Sequence, residues 1–302
     1  QVALLDPQVD LVVALTHIGL DLDRAIAERV NGIDLIVGGH SHTSLTQPIR
    51  VGDTWIVQAG SYARQLGVAE MSVVDGRIVD FDAGLIDLLP GAVDPPEAAS
   101  KLMNTWTERI DTLFAESVGS VVGGSLTRSK GSETALGRWA ADMVREAADA
   151  EVGIYNPGGL RADLNEGPLT RGDVYRVFPF SNDVVRFVAS GSELIGLAIK
   201  NAGSELSGKH PVMQLSGVVA KWEERGGAPS LIEVTVGGQA IDPDRVYTVS
   251  TNSYVADRWG YNLGFEPSGL VAVGKTVFEA ALDKARSGPV TPPKDSRMMR
   301  VD

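Results

Sequence analysis

Hydrophobic positions near the start of the chain form two short unbroken runs separated by an amphipathic stretch. Val9 to Leu15 reads VDLVVAL, continuous and rich in β-branched residues, which predicts a strand buried on both faces. Asp21 to Val30 places Leu22, Ala25, Ile26 and Val30 on one helical face behind an acidic first turn, and Ile33 to Gly39 (IDLIVGG) is a second buried run. Strand, helix and strand within about 30 residues predict a βαβ unit whose parallel strands end on the same edge. From Thr54 to Leu89 the pattern alternates and is broken by Gly60, Gly67 and Asp75-Gly76, predicting an antiparallel extension of that sheet.

Pro90 to Pro96 (PGAVDPP) is the clearest break in the pattern. Glu97 to Glu116 follows with Leu102, Trp106, Ile110 and Leu113 at three- and four-residue steps, which predicts a connecting helix. From about Val118 the pattern is that of a second α/β unit. A helix is expected from Ser132 to Ala150, capped by Ser132 or Thr134, with Leu136, Trp139, Ala140, Met143, Val144 and Ala147 on its buried face. Strands are expected at Val152 to Tyr155, Val184 to Ala189, Val212 to Lys221, Leu231 to Val236 and Val246 to Thr251, with helices at Ser192 to Ala202 and Lys275 to Arg286. The domain division is therefore 1–92, a connecting helix over 93–117, and 118–302.

Composition narrows the chemistry. Among 302 residues, 39 acidic against 27 basic side chains give a net charge of −12, so the overall field repels polyanions and membrane surfaces, and a nucleic-acid polymer is not an expected partner. Cysteine is absent, which removes disulfides, thiolate ligands and cysteine nucleophiles. No apolar run reaches the roughly 18 residues of a membrane span.

Four histidines occur, and three follow the two predicted parallel strands: His17 after VVALT, His40 and His42 after IVGG. Ligands of open parallel sheets gather beyond the carboxyl ends of the strands. Gly38 and Gly39 let the backbone turn sharply there, and the His-x-His spacing puts both rings on one side of an extended segment. This placement favours a metal such as Zn, Mn, Fe or Ni over an oxygen-rich calcium site. The alternative is three solvated loop histidines. Farther along, Asn156-Pro-Gly-Gly-Leu-Arg161 follows a predicted strand, with Arg161 suited to bidentate phosphate contact and Asn156 to a ribose or base. The alternative there is a glycine-rich turn with a solvated arginine.

LTHIGLDLD and IDLIVGGHSHT, within Leu15 to Thr43, resemble the end of the metallophosphoesterase domain of bacterial 5′-nucleotidases and 2′,3′-cyclic-nucleotide phosphodiesterases. YNPGGLRADL (Tyr155 to Leu164) and GDVYRVFPFSN (Gly172 to Asn182) resemble the substrate domain of the same family. The resemblance implies an α/β fold: the C-terminal part of a four-layer metallophosphoesterase domain joined by a helix to an α/β 5′-nucleotidase C-terminal domain. It implies two divalent ions (Mn, Zn or Fe), with His17 and His40 on one and His42 on the other, clamping a phosphate and activating water for in-line attack. The remaining ligands and the catalytic residues, carried by Asp-x-His, Gly-Asp and Gly-Asn-His-Glu motifs in the family, would lie before Gln1, so the chain as given is expected to be a poor phosphatase.

By the same resemblance Phe180 and Tyr254 sandwich a nucleobase, although Phe180 read by itself fits a core position beside Val177 and Phe178. Lys130 stands where the family carries a substrate-contacting arginine, with Arg128 as the substitute, and Asp257 is the candidate for the ribose-binding carboxylate in a loop, Asp257 to Tyr261, that departs from the family's Gly-Gly-Asp-Gly. Pro157 replaces a family glycine. The implied function is metal-dependent hydrolysis of nucleotide phosphate esters by a periplasmic or extracellular enzyme whose connecting helix lets one domain swing on the other. The alternatives are a non-catalytic nucleotide-binding module and a thiosulfohydrolase-like relative.

Overall fold

The computed structural model describes every residue except 90, 92, 93 and 302, so part of the Pro90–Pro96 break lies outside the described residues. The chain divides into two compact units, residues 1–100 and 101–302, and both are α/β.

The first unit carries a four-stranded sheet in the order Val13–Leu15, Leu35–Val37, Thr54–Val57, Ile49–Val51. The βαβ unit is present: Val13–Leu15 and Leu35–Val37 are parallel, with Ala14 opposite Ile36, and are joined through the helix Leu20–Arg29. Three expectations need correction. Val9 to Leu15 is not buried on both faces, because Val13–Leu15 is the edge strand and Leu15 is 85% exposed. The helix buries Asp23 and Ala27 and leaves Leu22 and Val30 exposed; the core it joins is Ala27, Ile33, Ile36 and Ile56. Thr54 to Leu89 is not one antiparallel extension. Thr54–Val57 is a third parallel strand beside Leu35–Val37, whereas Gln65–Val74 and Arg77–Asp87 pair only with each other. The Asp75-Gly76 turn of that ribbon has both residues at positive φ, 48° and 70°, the geometry that suits the twist of a two-residue hairpin.

The second unit is built on a five-stranded sheet in the order Gln214–Ser216, Val152–Tyr155, Val246–Asn252, Asp183–Ser190, Ser268–Thr276. Helices Ala135–Ala147 and Val277–Arg286 contribute Leu136, Trp139, Met143, Val277 and Ala281 to one hydrophobic cluster, with Tyr155 and Val184 from the sheet. Gly191–Ser207 and a second sheet contribute Leu194, Leu197 and Trp222 to another, with Ile154, Phe187 and Val249. The alternation of neighbouring residues such as Ile154 and Tyr155 between the two clusters is why Val152–Tyr155 is buried at every position. The expected run Val212 to Lys221 is split into Gln214–Ser216 and Val218–Arg225 at Gly217, whose φ is 75° and whose added Cβ would lie 2.1 Å from the Glu151 carbonyl oxygen. Thr134, not Ser132, caps the helix Ala135–Ala147, accepting from Gly137 N. The helix Glu97–Phe114 forms as expected and buries none of its residues.

Ala135–Ala147 approaches the sheet at Gly153, where a Cβ would meet the Ala141 carbonyl oxygen at 2.2 Å. Gly153→Ala should therefore destabilise the unit by about 1–3 kcal/mol, the usual cost of overpacking, measured by urea unfolding; an unchanged midpoint would mean the helix and strand separate freely.

Candidate functional site

Three parallel strands of the first unit end on one edge, and each end carries a polar side chain: His17 just beyond Val13–Leu15, His40 and His42 beyond Leu35–Val37, and Gln58 immediately after Thr54–Val57. His17 and His40 meet edge to face, ring centroids 5.2 Å apart and planes at 71°. Gly39 makes this approach possible, since a Cβ there would lie 3.0 Å from His17 Nδ1. His42 packs against Tyr62 instead, at 5.5 Å, and Arg64 lies 5.8 Å over the tyrosine ring. His40 and His42 both have positive φ, 75° and 57°, a left-handed conformation costing roughly 1–2 kcal/mol per non-glycine residue. Beneath them Asp23 is fully buried, with Oδ1 accepting from Thr16 Oγ1 at 2.7 Å and Oδ2 lacking a partner. Gly38 is held to glycine by that carboxylate, 2.5 Å from where its Cβ would stand.

Imidazole nitrogens about 2.0–2.1 Å from a tetrahedral ion put two ring centroids about 5 Å apart. The His17–His40 pair has that spacing. Among the described residues, no group of three His, Asp or Glu side chains is close enough to complete a site.

The second unit gathers the other candidates at one end of its central sheet. Phe178 and Phe180 alternate sides of the segment after Arg171–Val177: Phe178 is buried beside Tyr155 and Trp139, while Phe180 is 45% exposed. Phe180 therefore lies outside the core. Tyr254, 41% exposed, projects from the short helix Ser253–Asp257, whose cap Asn252 pairs across the sheet with Val184. Ser253 Oγ accepts from Asp183 N at 3.2 Å, which ties the Tyr254 turn to the segment bearing Phe180. Neither ring contacts another aromatic ring among the described residues. Arg161 lies 5.8 Å over Phe180, its own backbone N–H donating to Val177 O, and Arg258 lies 5.4 Å over Tyr254.

Asn156 is buried rather than presented, and its Oδ1 accepts from the buried Asn252 Nδ2 at 2.9 Å. This bond joins the Asn156–Arg161 loop to the Tyr254 turn. The glycines of that loop serve the fold as well: a Cβ on Gly159 would lie 3.0 Å from the Tyr155 ring. Arg128 is committed to the same loop, with its N–H donating to Asp163 Oδ1 at 2.9 Å, an ion pair to that oxygen at 3.8 Å, and Nη1 donating to Leu160 O. Lys130 is exposed and without a side-chain partner among the described residues, its carbonyl accepting from Val212 N. Asp257 is exposed at the end of the Tyr254 helix. Among the described residues Arg161 and Lys130 have no carboxylate partner, whereas Arg128 is shared with Asp163.

Residues 114–262 match the family model of the 5′-nucleotidase C-terminal domain. Over those residues the chain is similar to 5′-nucleotidases. It is 28% identical over 318 residues to the trifunctional nucleotide phosphoesterase protein YfkN of Bacillus subtilis, which covers 98% of this chain and 22% of that protein. It is 27% identical over 278 residues to the endonuclease YhcR of the same organism, covering 88% of this chain and 22% of the relative. The chain thus spans about a fifth of the length of these two relatives. A 5′-nucleotidase precursor structure from Thermus thermophilus superposes with a TM-score of 0.70 at 22% identity, over 99% of this chain and 66% of that one, a likeness of fold. The first of these relatives is named for nucleotide phosphoester hydrolysis. No helix among the described residues is long and apolar enough to cross a membrane.

Gln58 escaped the reading of the sequence although it shares an edge with the histidines. Its signal was the continuous run TWIV ending at the same kind of boundary as VAL and LIV, which marks a third parallel strand.

Proposed function

We propose that the chain is part of a metal-dependent hydrolase acting on nucleotide phosphate esters, in which the second unit binds the nucleoside and the first carries part of the metal centre. The observation that carries this reading is the pair of exposed rings, Phe180 and Tyr254, on tied segments beside the unpaired guanidinium of Arg161. A base slides between aromatic faces and a phosphate accepts from a guanidinium fork. Lys130 adds a second cation and Asp257 a carboxylate for the ribose, while Asn156 and Arg128 hold the loop in place.

His17 and His40 would hold one divalent ion (Mn, Zn or Fe) and His42 would contribute to a second. Ions bound there would polarise the phosphoryl oxygens and lower the pKa of a bound water. The likeness to a 5′-nucleotidase precursor supports a periplasmic or extracellular location.

The test joins this chain to an N-terminal segment bearing the Asp-x-His, Gly-Asp and Gly-Asn-His-Glu motifs and measures phosphate released from AMP with Mn²⁺ or Zn²⁺. Metal-dependent release is expected, and chelation should abolish it. Adenosine binding without release under any of these metals would favour a binding module and sink the hydrolase reading.

A further inference from the structure

Two loops that carry candidate nucleoside contacts leave one pair of strands. Val152–Tyr155 and Val246–Asn252 run parallel, whereas the other neighbours in that sheet run antiparallel, so their carboxyl ends share an edge. Residues 156–161 follow the first strand and the Tyr254 turn follows the second. Asn252, fully buried, stands where they meet and uses both ends of its carboxamide. Oδ1 accepts from Val255 N at 3.0 Å, capping the helix Ser253–Asp257, and Nδ2 donates to Asn156 Oδ1 at 2.9 Å. The loop is pinned at its other end as well, Arg161 N donating at 3.0 Å to Val177 O in the segment that leads to Phe180. Residues 156–161 thus brace the Tyr254 turn against the Phe180 segment, with Asn252 as the joint.

From this we infer that Asn252 is a positioning residue for nucleoside binding, setting Tyr254 against the loop that carries Arg161 while being enclosed itself. The inference rests on the reading of Phe180, Tyr254 and Arg161 as a nucleoside site. A carboxamide is suited to the position, because one buried group must accept from the helix backbone and donate to the loop. Asn252→Ser keeps the cap and ends short of Asn156. Asn252→Asp keeps the cap and can regain the loop bond, since Asn156 Nδ2 has no partner among the described residues and the Asn156 carboxamide can turn it toward the carboxylate. Thr251 supplies the contrast: it is equally buried and its Oγ1 donates to Ile154 O at 2.7 Å, a bond between the same two strands that reaches neither loop.

The test measures adenosine binding to this chain by calorimetry and its stability by urea unfolding. Asn252→Ser should weaken adenosine binding about fivefold or more, the scale of one buried hydrogen bond, and Asn252→Thr serves if the serine variant does not fold. Asn252→Asp should restore most of that affinity. Thr251→Val should lower the urea midpoint and bind adenosine as the wild type does. Unchanged affinity in the folded serine or threonine variant, or an equal loss in Asn252→Asp or in Thr251→Val, would overturn the positioning role while leaving the nucleoside site intact. A wild type that binds no adenosine would overturn the nucleoside reading, and the inference with it.

Discussion

Arg297→Ala should lower the stability of the second unit by about 3–5 kcal/mol, the cost of removing one partner from a buried ion pair. The guanidinium is buried and forks onto Asp142, Nη1 to Oδ1 and Nη2 to Oδ2 each at 2.9 Å, while Nε donates to Asp295 Oδ2 at 2.8 Å and Nη1 to Leu215 O at 2.6 Å. Its own backbone N–H donates to Glu133. Asp142 is in turn bonded by Ser216 Oγ at 2.6 Å, and Ser216 by Arg145. Alanine would leave the Asp142 carboxylate enclosed without a cation, in contact with one hydroxyl. Urea unfolding followed by the fluorescence of the buried Trp139 and Trp222 measures the loss. Pairing Arg297→Met with Asp142→Leu should recover most of it, because the penalty lies in the orphaned charge. A single-variant loss below about 1 kcal/mol, within the range of exposed pairs, would show that water reaches the pair.

The second large effect concerns ligand binding. Phe180→Ala and Tyr254→Ala should each weaken adenosine binding to this chain by about 1–3 kcal/mol, roughly fivefold to a hundredfold, read by calorimetry. Thermal stability should change little, since both rings are substantially exposed and outside the two hydrophobic clusters. Phe178→Ala should do the reverse, destabilising the unit through a cavity beside Tyr155 and Trp139. Adenosine binding that survives both exposed-ring substitutions would remove the base sandwich from the proposed function.

These two sets of residues differ in how much of them could be read from the chain. Phe180 was visible as a candidate through its motif, yet FPF alone does not say which phenylalanine faces inward; the answer depends on which side of the segment meets Trp139 and Tyr155. Arg297 gave no signal at all. Besides Asp295, its partners Asp142 and Leu215 come from a helix and a strand far earlier in the chain, and no local periodicity marks them. Arg128 looked equivalent to Lys130 as a substrate cation, and only the fold sets Asp163 beside it, 3.8 Å from Nε. That the strands of the Gln65–Asp87 ribbon pair with each other and not with the four-stranded sheet was likewise invisible, because an apolar run states that a residue avoids water and not what covers it.

By itself the sequence determined part of the framework: the βαβ unit, the helices around Ala135–Ala147 and Gly191–Ser207, the strand Val152–Tyr155 and the placement of His17, His40 and His42 beyond parallel strands. Those features follow from periodicity and turn chemistry within a few residues. Only the tertiary structure decided that Gln58 holds the histidine loop from a third strand, and that the Asn156 oxygen accepts from Asn252, 96 residues away. Such pairings are set by strand register and by which buried polar groups must satisfy one another, and both exist only once the sheets have closed on their helices.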